Sequence, residues 1–329
     1  MRPFLVGVVL VCAASAQTPR IGDLNLYGLH RVTAEHVLTA AGVRSGSRLP
    51  ASKGDLEDAI EKVSGVVLAR VEAVCCDGPE VVLFIGVEER GGPHPSFRSP
   101  PAGTATLPYE LMDTYNGFLT AVAKAAAAGR ATEDLTAGHS LMDDPDARAF
   151  QPRFQAFAAE HMDWLREVLR NGPEPEERAV AAAVIGYAAD RAKAVDDLQL
   201  ALQDPDDAVR ANALRSLTAI AVYAAKHPAE GIRISATWMV ELLNSIVLND
   251  RVEASKALVV LTDSTNSQAL ALIRERALPA LAEMARWKTL RYALPPFLLL
   301  GRVAGMPENQ IQQAWEKSNR EAVIGKALQ

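Results

Sequence analysis

Cysteine, aromatic residues, positive charge and long apolar runs are all scarce in this chain, and each scarcity excludes something. Three cysteines in 329 residues cannot build the bridged framework on which small secreted domains depend, so folding has to rest on apolar burial. Aromatic side chains make up 5% of the residues, and with alanine abundant this points to helices packed through small side chains rather than to a β-sandwich. Lys and Arg number 34 against 40 Asp and Glu, a formal net charge of −6. The acidic excess runs through both halves, which excludes nucleic acid and anionic membrane surfaces as main partners because both demand phosphate neutralisation. Patterns that carry chemistry are missing too. No G-x-S-x-G, H-E-x-x-H, P-loop or G-x-G-x-x-G occurs, and His30, His36, His94, His161 and His227 have no metal-ligand spacing. No catalytic, cofactor-binding or metal-binding residues are therefore expected, and no cofactor.

The pronounced apolar run, Phe4–Ala14, is too short for a bilayer span of about 20 residues. It follows the single basic residue Arg2 and leads into Ala14-Ser15-Ala16 before Gln17, the small-x-small cleavage pattern of a secretory signal peptide. Val11 stands before Cys12 where a lipoprotein anchor needs a small residue. The expectation is a signal peptide at 1–16 and an exported mature chain, in a bacterial periplasm or cell envelope.

Residues 17–90 read as β-α-α-β-β, an α+β layer pair. Leu24 and Leu26 alternate with polar residues up to Gly28. Thr33 is placed to cap a helix carrying Val37, Leu38 and Ala41 and stopped by Gly42. Ser52, with Asp55 three residues on, opens a second helix whose Leu56, Ala59, Ile60 and Val63 form one stripe. Val67, Ala69, Val71, Ala73 and Cys75 line one strand face. The turn Asp77-Gly78-Pro79 then reverses the chain into Val81, Leu83, Ile85 and Val87. Cys75 and Cys76 are adjacent and point to opposite faces, so a bridge between them would be strained. They read as two apolar strand residues near a turn, with intermolecular pairing as the other option. Leu24–Gly28, the Thr33-Ala34-Glu35 helix start, Gly46 and the closing Val87-Glu88-Glu89 together resemble a POTRA domain. The resemblance implies a small periplasmic module that binds polypeptides, often by adding a strand to its sheet edge. There is one copy and no β-barrel sequence follows, so no insertase or pore role is carried over. A generic α+β domain of the same element order is the alternative.

Residues 91–108 hold five prolines and three glycines in eighteen positions and read as a semi-extended linker at a domain boundary. From 109 to 329 strand signals vanish. Helices are expected at Glu110–Ala128, Phe154–Arg170, Pro175–Ala189, Lys193–Gln203, Ala208–Lys226, Ser235–Leu248, Val252–Leu261, Ser267–Arg286, Thr289–Val303 and Glu308–Ala327. The most regular stretch is Ala192–Ala225. Val195, Leu198 and Leu202 stripe one helix, Val209, Ala213, Leu217, Ile220 and Ala224 the next, around the acidic turn Asp204-Pro205-Asp206-Asp207. Pro205 ends the first helix and Asp206 or Asp207 caps the second. Glu176–Ala183, Asp207–Leu214 and Asp250–Leu258 share an acidic start, a nearby Arg and inner alanines, at offsets in the range of helical solenoids. With its Asp-Pro turn, Val209-Arg210 and Ala/Leu spacing, the middle copy resembles a HEAT repeat. The resemblance extends over about 154–304 and implies an α-solenoid, superhelical in form; a compact irregular helical bundle is the alternative.

Gly138–Asp146 is the best local cluster, with His139 and the carboxylates of Asp143, Asp144 and Asp146. Pro145 and the missing glutamate do not fit a calcium loop, and the plain reading is a polar loop capping the next helix. Trp164, Trp238, Trp287 and Trp315 are expected in core or inter-repeat packing. The acidic tips Asp204–Asp207 and Pro173–Glu177 are expected as solvated caps. The function that follows is a non-enzymatic, exported scaffold for a protein or peptide partner. The alternatives are a small-molecule or metal-binding protein or hydrolase with its site near Gly138–Asp146, or a purely structural envelope protein.

Overall fold

The structure, a computed structural model, describes residues 18–74, 80–263 and 266–329. The leader Met1–Ala16, the thiols Cys75 and Cys76 and the turn Asp77-Gly78-Pro79 lie outside the described residues.

The N-terminal module runs β1 (Arg20–Tyr27), α1 (Ala34–Ala41), α2 (Lys53–Glu61), β2 (Val66–Val74), β3 (Glu80–Glu89). The sheet order is β1-β3-β2, with β1 parallel and β2 antiparallel to the central β3. Thr33 and Ser52 cap the two helices through their side chains, as the local signals require. Alternation decides what each sheet face meets. Leu83, Ile85 and Val87 face Val37, Leu56 and Ile60 of the helices in one core. Phe84 and Tyr27 face the other way, into the core of the helical region. Gly86 is what lets Tyr27 lie flat, since a Cβ there would sit 2.6 Å from the ring.

The helical region comprises α3 (Tyr109–Ala127), a two-residue ladder of β4 (Glu133–Asp134) with β5 (Leu141–Met142), α4 (Pro145–Arg148), α5 (Gln151–Asn171), α6 (Pro175–Ile185), α7 (Arg191–Ala201), α8 (Asp207–Lys226), α9 (Thr237–Leu242), α10 (Leu248–Thr262), α11 (Ser267–Arg276), α12 (Leu278–Ala285), α13 (Leu290–Val303), α14 (Glu308–Glu316) and α15 (Arg320–Ala327). Strands of two residues are below what alternation reveals, so β4 and β5 escape the sequence. Besides Phe154–Arg170, which loses helical geometry at His161, three helices expected to be continuous are broken. Ser235–Leu248 stops at Leu242, and α10 starts at Leu248, so Asn249-Asp250 is helix and not a break. Ser267–Arg286 divides at Ala277, just before Pro279, whose ring cannot follow a helical turn. Glu308–Ala327 divides near Ser318, which has φ 54.

The second helix of each pair stacks on that of the next, α6 on α8, α8 on α10, α10 on α13 and α13 on α15. Asp206 caps α8 by accepting from Ala208 and Val209. The neighbouring Asp204 corrects the expectation of solvated tips: it is fully buried. Asp204 accepts from Arg178 Nε at 3.0 Å and Nη2 at 2.9 Å. One rung on, Arg210 is bidentate on buried Asp250, at 3.1 and 2.7 Å, and Arg251 reaches Glu283 at 3.5 Å. Each arginine also folds back on the turn before its own helix. Arg178 donates to the carbonyls of Gly172 and Pro173, Arg210 to those of Asp204 and Pro205, and Arg251 to that of Ser245. A buried guanidinium needs all of its donors engaged, and the turns supply the acceptors.

Residues 91–108 are not a free spacer. They form a strap along these turns. Phe97 lies 4.0 Å from the Arg210 guanidinium. Arg98 donates to Asp204 and to the carbonyls of Leu169 and Arg170. Gly103 N–H donates to Asn171 O, and Leu107 N–H to Glu177. The strap and the N-terminal module thus cover the arginine–carboxylate ladder.

Candidate functional site

Gly138–Asp146 does not assemble into a catalytic or metal centre. His139 packs on Tyr187 with ring centroids 5.3 Å apart and its Nε2 accepts from the Gln155 amide at 2.8 Å. Burial lowers the imidazole pKa, the Arg191 charge adds to this, and the ring is neutral at pH 7. Two of the three carboxylates are engaged elsewhere. Asp143 accepts from the Thr132 hydroxyl, and Asp144 caps α4 and pairs with Arg130 at 3.1 Å. The described residues hold no group of three or more His, Cys, Asp or Glu placed for a metal ion. Beside His139 a narrow pocket is walled by Tyr115, Phe118, Phe154 and Tyr187, with Asn212 and Arg215 at its polar side. It encloses about 40 Å³, room for about three waters and well below the roughly 150 Å³ that accommodates benzene. Burial raises the pKa of both phenols, that of Tyr187 to about 12, so neither is a base at neutral pH.

The sheet edges, where a peptide would add as a strand, are partly taken. The N–H groups of Ala69 and Val71 on β2 donate to Glu61 at 3.0 Å and Glu57 at 2.8 Å. At the start of β1, Ile21 exchanges main-chain bonds with Ser47 and Gly46. The remaining sheet face is docked on the array. Trp287 receives Phe84 edge-on at 5.1 Å and Tyr27 at 5.8 Å. Tyr27 donates its hydroxyl to Ile246 O at 2.8 Å, and Gly28 N–H donates to both oxygens of Glu283. Burial pushes the Glu283 carboxyl upward, opposed by Arg251 and by the Gly28 bond.

An exposed surface remains on the helical region. α5 presents it, where helical geometry fails at His161 (φ −132, ψ 30); the stacked second helices are mostly buried. Residues 162–230 match the family model for HEAT repeats. The matched segment begins one residue past that break and carries the Arg178–Asp204 rung together with Arg210. With the mostly helical remainder, the region after the strap is therefore HEAT-like. No curated protein matches the chain. Among the described residues, no helix is long and apolar enough to cross a membrane.

Of the four tryptophans, expected in core or inter-repeat packing, Trp287 is core, and Trp238 and Trp315 pack partly buried against that core. Trp164 is not: it is 42% exposed and donates its indole N–H to Thr106 O of the strap at 2.8 Å. Its position seven residues after Phe157 on one helix was visible in the sequence. Whether that face was covered was not.

Proposed function

We propose that the protein is an exported, non-enzymatic scaffold that binds a protein or peptide partner through its HEAT-like region. The observation that carries this is the HEAT-repeat match over 162–230 within a run of stacked helix pairs. Such units bury one face on their neighbours and leave a long continuous surface, which is how repeat arrays bind polypeptides. HEAT repeats are typically binding modules and not catalysts, and the small pocket beside His139 offers a substrate little room. A superhelical course for the array belongs to the same reading.

Export rests on Met1–Ala16 alone. The POTRA-like reading of residues 17–90 rests on the β-α-α-β-β order and on the positions of Gly28 and Gly46. In this reading the module is POTRA-like in form, but its task here is to cap the ladder and hold the strap, because its sheet face and part of its edges are already engaged. Partner binding is assigned to the array. Cross-linking in cells, followed by pull-down of the full chain from envelope extract, tests the scaffold: a specific partner in fixed proportion supports it, and none above control rejects it. Intact mass of the exported protein tests the address, the expected N-terminus being Gln17.

A further inference from the structure

Beside the break in α5 lies a surface cleft of about 620 Å³, lined by residues 158–164 and Arg166, by the turn 188–190 and by Lys193 of α7. Phe157, His161 and Trp164 tile one side of that helix, with ring centroids 4.6 Å apart for Phe157 and His161 and 6.1 Å for Phe157 and Trp164. The indole is held in place by its bond to Thr106 O, so its face stands towards solvent in a fixed orientation, while Phe157 beneath it packs on the core. Such a preorganised, partly exposed indole is the usual anchor of a binding hot spot.

The charge around it has one sign to spare. Arg166 lies 2.7 Å from buried Asp197, which it shares with Arg170, and Lys193 is the other cation of the lining, against the three carboxylates of Glu160, Asp163 and Asp190. Lys193 pairs with Asp190 at 3.6 Å. Glu160 and Asp163 remain, the first 72% and the second fully exposed, with contacts of only 3.8 Å to His161 and 3.7 Å to Arg166. An electron-rich ring face beside two solvated carboxylates suits a cation on an apolar stem.

We infer that this cleft receives a lysine or arginine side chain of a polypeptide partner, its alkyl stem on Trp164 and its charge towards Glu160 and Asp163. The inference rests on the scaffold reading and names the chemistry its partner must carry. An acidic segment would meet like charge there, and a wholly apolar one would bury Glu160 and Asp163 unpaired.

A random peptide library displayed on phage is selected on the full chain, and the most enriched sequence is synthesised and titrated by fluorescence anisotropy. The expected result is enrichment of peptides with Lys or Arg next to an apolar residue. Binding should weaken about tenfold in Trp164→Ala, and about threefold or more in the Glu160→Gln, Asp163→Asn double variant, with affinity falling as salt rises. Thermal melts of both variants report that the fold is kept, and the double variant alters only exposed side chains. No enrichment of basic peptides, enrichment of acidic ones, or equal binding to both variants overturns the inference. The scaffold reading fails differently: cross-linking would then yield no partner for the unaltered chain. Equal capture of a partner by the unaltered chain and by Trp164→Ala would reject the cleft alone.

Discussion

Replacing Asp204 by alanine removes the carboxylate on which two arginines converge, and the structure sets how much that should cost. Asp204 is fully buried and Arg178 is 2% exposed, so the variant leaves a guanidinium in the interior with its acceptor gone. Breaking a buried pair from one side costs about 3–5 kcal/mol. In a domain of this size class each kcal/mol moves Tm by roughly 2–4 °C, so the midpoint should fall by roughly 6–20 °C. The exposed pair of Arg286 and Glu321 is the control: it is also bidentate, at 2.9 and 2.9 Å, yet Arg286→Ala should cost under about 1 kcal/mol. The pH dependence carries a sign. Burial opposes the Asp204 charge, but hydrogen bonds from Arg178, Arg98 and Asp206 N–H outweigh it and hold the carboxyl below its ordinary value. A depressed folded pKa contributes stability above the unfolded value, about 3.9, and loses it as pH falls through the folded one. Asp204→Asn should therefore melt lower at pH 7 and lose less stability on acidification. The assays are circular dichroism melts from pH 7 to 3 and amide exchange. Because repeats mainly contact their neighbours, lost protection should concentrate in α5–α8. Equal effects of Asp204→Ala and Arg286→Ala, or a loss below about 1 kcal/mol for the former, would refute the ladder as a stabilising element.

Three further outcomes are expected. Gly86→Ala puts a methyl group where the Tyr27 ring lies, so the ring must leave Trp287, and limited proteolysis should cut the strap at 91–108 faster while α6–α10 stay protected. Glu283→Gln tests the docking site by pH: with a raised folded pKa, the native carboxyl favours folding most at low pH, and that contribution declines as pH rises upward from about 4.3. The variant should flatten this decline in stability-versus-pH profiles between about pH 4 and 6. Elemental analysis of the purified full chain should show no stoichiometric metal that disappears in His139→Ala or Asp143→Ala; a metal lost in both would restore Gly138–Asp146 as a site.

Local signals were legible wherever one turn of chain decides the outcome. Thr33, Ser52 and Asp206 sit where short side chains satisfy the first free N–H groups of a helix, and the element order of residues 17–90 follows from period alone. The same local logic failed one position away. Asp204 and Asp206 look alike in an acidic turn, but one is a cap and the other the centre of a buried rung. The difference lies in arginines 26 and 106 residues distant, which no periodicity encodes. Residues 91–108 were readable as unable to form helix or ladder. That they bind along the turns depended on carbonyls and carboxylates presented by helices far along the chain.

The candidate site divides in the same way. By itself the sequence determined a small α+β module, a proline-rich connecting segment and a run of helices, because these follow from spacing, caps and breakers within a few residues. Only the tertiary structure decided which polar groups were consumed and which were left over. It engaged the sheet face and part of its edges, scattered His139 from the aspartates beside it, buried Asp204, and left Trp164 with Glu160 and Asp163 towards solvent. Burial is a property of neighbours brought from elsewhere in the chain, and whether a charged or aromatic side chain is structure or surface is settled by those neighbours.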